Sequence, residues 1–296
     1  DYFTSNWQDD SQVKWVEDTG IELIRGHGWI TAPRQVEVAG LDGNGYALTA
    51  RHAVVVATGS APNQPPVEGL HDVEYWTTRE ATSARAVPAR LAVLGGGVAG
   101  VELAQAYARL GSSVTLVARG GLLGVFPERA AGLVAAGLRA DGVDLRLHTG
   151  TRSVHENDDG SLTVVLDGSP KDGPGADPAA GASRGATITA DKLLVSTGRH
   201  PALEGLGLDS VGLTAPEGGT LRLTTDSTGL VHHATGNEVS GSPWLYAAGD
   251  AAGRAMLTHQ GKYGARATGD AIAARAKGEL SGEPAPWSRF AQTAYD

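Results

Sequence analysis

The stretch that most constrains this chain runs from Leu91 to Val117, LAVLGGGVAGVELAQAYARLGSSVTLV. A short apolar run ends in a glycine cluster, a long helix-forming run follows, and a second β-favouring run, VTLV, closes it. Gly95, Gly97 and Gly100 stand at G-x-G-x-x-G spacing, with Gly96, Val98 and Ala99 in between. The first glycine permits a tight turn, the second lets backbone approach a pyrophosphate, and the third lets helix and strand pack closely. The start of the helix then offers free N–H groups and the positive end of its dipole to the phosphates. A glycine motif framed by strand, helix and strand reads as a β-α-β unit that binds a dinucleotide.

The second strand bears on which dinucleotide. An Asp or Glu at its end suits a free ribose 2′-hydroxyl. Here VTLV is followed by Ala118 and Arg119, and no acid occurs from Leu103 to Pro127. An arginine there suits a 2′-phosphate, so NADPH is expected in preference to NADH. Glu102 is expected on the first turn of the helix, where an acid favours the dipole whether or not it approaches a ligand.

Bulk properties exclude several functions. A length of 296 residues suggests about two domains. The net charge of −9 gives no electrostatic footprint for nucleic acid. No apolar run approaches the roughly 20 residues of a membrane helix, and DYFTSNWQDD has no signal-peptide layout. A cytoplasmic protein without membrane contact is therefore expected. The absence of cysteine excludes thiolate nucleophiles, disulfides and thiolate metal sites from this sequence. The histidines lack ligand spacing, so no metal site is expected.

Organisation along the chain follows from punctuation. Gln12–Thr19 reads as a short helix closed by Gly20. The runs IELIRG, GWI, RQVEVAG and ALTARHAVVVATG read as strands of a small antiparallel meander. SVHENDDGSLTVVLDG reads as a hairpin turning at Asp159-Gly160. Its Gly, Pro, Ala and Ser-rich continuation, Ser169–Ala186, reads as a flexible loop. QGKYGARATGDAIAARAKGE has helical composition despite its glycines. Two strand ends are near-duplicates, VVVATGSAP (Val54–Pro62) and LLVSTGRHP (Leu193–Pro201). A third, WLYAAGDAAG, ends in Gly249, which lets a ligand come close, and Asp250, which can accept hydrogen bonds from sugar-like hydroxyls.

In this order the pieces resemble the pyridine nucleotide-disulfide oxidoreductases, the flavoprotein family of dihydrolipoamide dehydrogenase, glutathione reductase and mercuric reductase. The resemblance implies an α/β fold in which a Rossmann-like NAD(P)H-binding domain, residues 72–199, is inserted into an FAD-binding domain given by residues 1–71 and 200–296. ATGSAP, with Thr58 and Gly59, resembles the family's first Ala-Thr-Gly connection near FAD. GGGVAGVE resembles its nicotinamide motif, with Glu102 in the place of the acid that approaches the nicotinamide. STGRHP, with Gly198, resembles its second connection, although Ala202 replaces the usual asparagine. LYAAGD resembles its second FAD motif, with Asp250 on the ribityl chain. MLTHQG, with Leu257 and Thr258, resembles the segment whose backbone approaches the flavin ring, and RGHGWI the stretch near the adenine. VTLVARGGLL is most similar to the mercuric reductase version, which uses NADPH.

The resemblance also implies parts that this sequence does not contain: a first G-x-G-x-x-G for FAD, a C-x-x-x-x-C redox pair, and a C-terminal dimerisation domain. An incomplete FAD domain with no catalytic residue of its own is therefore expected, from a homodimeric parent. That parent would pass hydride from NADPH to flavin, and then electrons to a disulfide, a metal ion or another acceptor. The alternative is a catalytically inert module that binds a nicotinamide nucleotide.

Overall fold

The computed structural model describes residues 5–167, 186–237 and 243–292. All but the last residue of the glycine-rich loop expected over Ser169–Ala186 lies outside them. In chain order the first elements are α1 (Asp10–Asp18), β1 (Gly26–Ala32), β2 (Gln35–Gly40), β3 (Gly45–Thr49), β4 (Val54–Val56) and β5 (Ser60–Pro62). Then come α2 (Thr78–Ser83), β6 (Arg90–Leu94), α3 (Val98–Arg109), β7 (Ser113–Val117), α4 (Glu128–Ala140) and β8 (Asp144–Arg146). The chain continues through β9 (Thr151–Glu156), β10 (Leu162–Leu166), β11 (Thr187–Ala190), β12 (Lys192–Val195) and β13 (Arg199–Pro201), and ends with β14 (Leu245–Ala247) and α5 (Thr258–Ala276). They form two compact units, Asp1–Ser60 with Pro201–Asp296, and Ala61–His200.

The Ala61–His200 unit is built on a parallel sheet of order β12-β6-β7-β8. Its strands alternate between two buried faces, which is why they read as continuous apolar runs. Leu91, Val93, Val114 and Leu116 pack with Val101, Ala104 and Tyr107 of α3 and Leu138 of α4. Ala92, Leu94, Leu193 and Val195 point the other way, onto Leu162, Val164 and Leu166. Those residues belong to a second layer, the antiparallel sheet β11-β10-β9. The hairpin at Asp159-Gly160 is thus the cover of one whole sheet face. Residues 61–71, placed with the first domain by sequence, pack in this unit. Leu70 is fully buried in the same cluster as Val154, and Glu68 bridges to Ser153.

In the other unit β1, β2 and β3 form the antiparallel meander, and β4 pairs in parallel with β14. IELIRG is not a strand. The segment 21–25 has no neighbour to pair with until the Arg25 carbonyl accepts from the Leu41 N–H, and a strand needs a ladder partner. Helix α1 ends as its sequence requires. Gly20, at φ 75°, donates to the Glu17 carbonyl and Ile21 to the Val16 carbonyl, which satisfies two last-turn acceptors at a glycine stop. Buried Asn237 then takes the place of a strand edge. Its Nδ2 donates to the carbonyls of Val231 and Leu245, and its Oδ1 accepts from the N–H groups of Trp244 and Leu245.

Candidate functional site

A concavity of the Ala61–His200 unit lies where the sheet order reverses. From β6 the chain steps through α3 to β7 on one side, while β12 returns on the other. In open α/β sheets the crevice beyond the strand ends at such a switch point is where ligands bind. Here it is a cavity of about 500 Å³, within the usual size of a small-molecule site, about 300–1,000 Å³. Its walls are the segments that follow three neighbouring strands: Gly95–Ala99 after β6, Ala118–Gly121 after β7, and Ser196–Arg199 after β12.

Each motif glycine has a local reason. Gly95 sits at φ 122°, and a Cβ there would strike the Ser196 carbonyl. Gly100 lies inside α3, and its Cβ would strike the Gly95 carbonyl, with Ser196 Oγ at 2.7 Å. The two glycines let α3 pack closely on the ends of β6 and β12. Gly97 differs: no heavy atom lies within 4 Å of where its Cβ would stand. It is the N-cap of α3, so the open space beside it lies at the free N–H groups of the first turn. A glycine-lined approach to a helix start suits the pyrophosphate of a dinucleotide.

Arg119 is exposed, lines the cavity beyond β7, and makes no salt bridge among the described residues. Gly198 lines the opposite end at φ 109°, and a Cβ there would stand 2.9 Å from Asn63 Nδ2. Glu102 is placed differently from the sequence expectation. Because α3 begins only at Val98, Glu102 falls in the second turn, is exposed and does not line the cavity. The dipole effect fades within the first turn, so that reason for its presence weakens.

Thr58, Gly59, Gly249 and Asp250 lie in the other unit, at the adjacent ends of the parallel pair β4 and β14. Asp250 Oδ2 accepts a 2.6 Å hydrogen bond from Ser60 Oγ. Thr58 Oγ1 donates to the Ala202 carbonyl, whose own N–H donates to the Gly59 carbonyl. Leu257 and Thr258 open α5, and a Cβ on Gly261 of its first turn would come 3.3 Å from the Gly249 Cα. A strand-end carboxylate and close-packed glycines suit the hydroxyls of a nucleotide. The cavity at Gly249, however, measures about 40 Å³, room for about one water by the usual volume of that molecule. The space beside Gly249 is thus too small for a nucleotide.

Sequence reasoning missed several lining residues. Pro62, Pro65 and Pro66 wall the cavity, and Asn63 holds its far end by donating its N–H to the Gly198 carbonyl. A proline cluster after a strand signals only a non-helical connection.

The family model described as pyridine nucleotide-disulphide oxidoreductase matches residues 8–265. The chain belongs to that family. Among its curated family relatives, the mercuric reductase of Shigella flexneri is 34% identical over 223 residues, 75% of this chain and 37% of that protein. The dihydrolipoyl dehydrogenase of Thermus scotoductus is 33% identical over 244 residues, 81% and 46%. The HOCl-induced flavoprotein disulfide reductase RclA from Escherichia coli shares the fold, with a TM-score of 0.72 at 21% identity over 94% of this chain and 56% of that one. The chain spans less than half the length of these two curated relatives. Among the described residues no helix is long and apolar enough to cross a membrane.

Proposed function

We propose that the Ala61–His200 unit binds NADPH and that the other unit contributes to an FAD site, as parts of an FAD-dependent NAD(P)H oxidoreductase. The observation that carries this reading is the glycine cradle opening onto a cavity at the start of α3, with Arg119, which makes no salt bridge among the described residues, lining it beyond β7. Backbone N–H groups of α3 would hold the pyrophosphate, Gly97 would let it approach, and Arg119 would face the 2′-phosphate. The hydride chemistry belongs to the bound nucleotide and flavin. The names of the relatives support a disulfide or a metal ion as acceptor, and the family resemblance supports a homodimer.

The test of the nucleotide reading is Arg119→Glu, followed by fluorescence titration with NADPH and NADH. Binding of NADPH is expected to weaken and that of NADH to improve. Equal effects on both would remove the 2′-phosphate contact from the proposal. An absorbance scan of the purified protein for bound flavin tests the second half independently.

A further inference from the structure

Helix α4 does not carry the outer surface expected of a helix packed on a sheet. Its inner face is ordinary: Ala135 and Leu138 are buried in the cluster that includes α3 and the parallel strands, and Val134 packs against it half-buried. The opposite face of such a helix is usually charged and polar. Here the only charged residues among the exposed positions are Glu128, Arg129 and Arg139, and the others are Leu133, alanines and a glycine. Leu133 is 69% exposed, and Val125 and Phe126, just ahead of the helix, are 92% and 48% exposed. Single apolar side chains in water need no explanation, but several close together mark a surface that meets something.

The outward residues are spaced as a seam. Arg129, Leu133, Ala136 and Ala140 follow one another at intervals of four, three and four, the heptad spacing by which one helix lies along another. There is room beside the seam, since a Cβ on Gly132 or Gly137 would meet no heavy atom within 4 Å. Small residues there let a second helix approach to the near end of the usual range, about 8–10 Å between axes.

Charge decides what fits. Glu128 in the first turn and Arg139 in the last stand about three turns apart, and so on one flank of the seam. Neither makes a salt bridge among the described residues. Asp141, the acid nearest to Arg139 in the chain, is already engaged: it accepts from Gln105 Nε2 at 2.6 Å and from Arg109 Nε at 3.0 Å. A face with an unmatched anion at one end and an unmatched cation at the other complements its own reversed copy.

We propose that the outer face of α4 is a self-association surface on which a second copy of this chain docks, the two α4 helices antiparallel and Leu133 of each copy over Ala136 of the other. A two-fold axis then makes every contact twice. Leucine meets alanine in both central layers, and Glu128 of each copy comes beside Arg139 of its partner at both ends. A parallel pair would instead set like charges together. The contact does not depend on nucleotide binding, and it is separate from the homodimer supported by the family resemblance. Helix α4, with its 13 residues, is only about 20 Å long. One such face falls short of the roughly 800 Å² per partner of a stable dimer, so the association is weak and concentration-dependent.

The experiment is sedimentation velocity of the protein from about 1 μM to about 1 mM, the range in which a weak dimer forms. The unaltered protein is expected to pass from monomer to dimer within it. Leu133→Glu, at an exposed position where folding is not at stake, should weaken association at least about tenfold, by placing two carboxylates in the seam. Glu128→Arg and Arg139→Glu should each weaken it roughly three- to tenfold, because each charge reversal acts at both ends of the dimer. The doubly reversed Glu128→Arg, Arg139→Glu protein should return to within about twofold of the original, as expected when two residues act as a pair. A protein that stays monomeric at the highest concentration overturns the proposal. So does a dimer that Leu133→Glu leaves intact, since another surface then makes it. A double reversal that fails to restore the dimer overturns the antiparallel arrangement and the proposal with it.

Discussion

Replacing Gly100 with alanine adds one methyl group where α3 crosses the turn after β6. The new Cβ would strike the Gly95 carbonyl and come 2.7 Å from Ser196 Oγ. Neither neighbour can retreat easily. Gly95 donates its N–H to the Val117 carbonyl at 2.9 Å, and Ser196 donates to the Leu94 carbonyl at 2.8 Å, so both are held by the sheet. Overpacking of this kind costs about 1–3 kcal/mol, and the clash is with backbone, which argues for the upper end. Alanine gains up to about 1 kcal/mol over glycine inside a helix. A net destabilisation of about 2 kcal/mol is therefore expected, with loss of dinucleotide binding because α3 is displaced. Gly97→Ala is the contrast. Its φ of −77° and ψ of 179° suit any residue, and the methyl enters open space, so stability should change by no more than about 0.5 kcal/mol. That space is the approach to the helix start, so NADPH and NADH should both bind less tightly. Urea unfolding and nucleotide titration of the two variants are the measurements. A Gly100→Ala protein as stable as the original, or a Gly97→Ala protein with undiminished affinity, would refute the assignment of one glycine to packing and the other to the ligand.

Asn237→Leu should cost about 2–4 kcal/mol, because the Trp244 and Leu245 N–H groups lose their acceptor in a buried place; thermal unfolding followed by tryptophan fluorescence reads it. The capping box of α2 gives a pH dependence. The Thr77 hydroxyl, donating to Glu80, holds that carboxyl below its usual range, partly offset by burial. A lowered carboxyl stabilises the fold above its unfolded value of about 4.5 and ceases to do so as pH falls through the folded one. Thr77→Ala should thus cost about 1 kcal/mol at neutral pH and less in acid, measured as unfolding midpoints across that range.

The features most legible in the sequence were those for which one residue type has one physical use. Gly95 and Gly100 stand where the sequence puts the turn and the close packing, and a Cβ at either would strike a backbone carbonyl, of Ser196 and of Gly95. Arg119 lines the cavity beyond β7, at the strand end where the sequence has no acid. What stayed hidden depends on partners far along the chain. IELIRG has strand composition but nothing to pair with. Glu102 slipped out of the first turn because the helix starts at Val98, a boundary that periodicity does not resolve. Residues 61–71 join the second unit through the burial of Leu70, which no local signal marks. Asn237 is one polar residue in a stretch without period, and no local signal marks the left-handed backbone of His148, at φ 52°, whose N–H donates to the Gly120 carbonyl.

The two connections at Ser60/Ala61 and His200/Pro201 have one further consequence. Within the Ala61–His200 unit, Asn63 donates its N–H to the Gly198 carbonyl, and within the other unit Ala202 donates to the Gly59 carbonyl. Each unit's two loose ends therefore meet one hydrogen bond apart, and β5 pairs with β13 along the way. A body whose entry and exit are neighbours can be removed, exchanged or closed by a few residues with little loop entropy lost. In that sense the Ala61–His200 unit has the connections of a cassette, one that could be swapped or closed off while the chain that hosts it keeps its own strands in register.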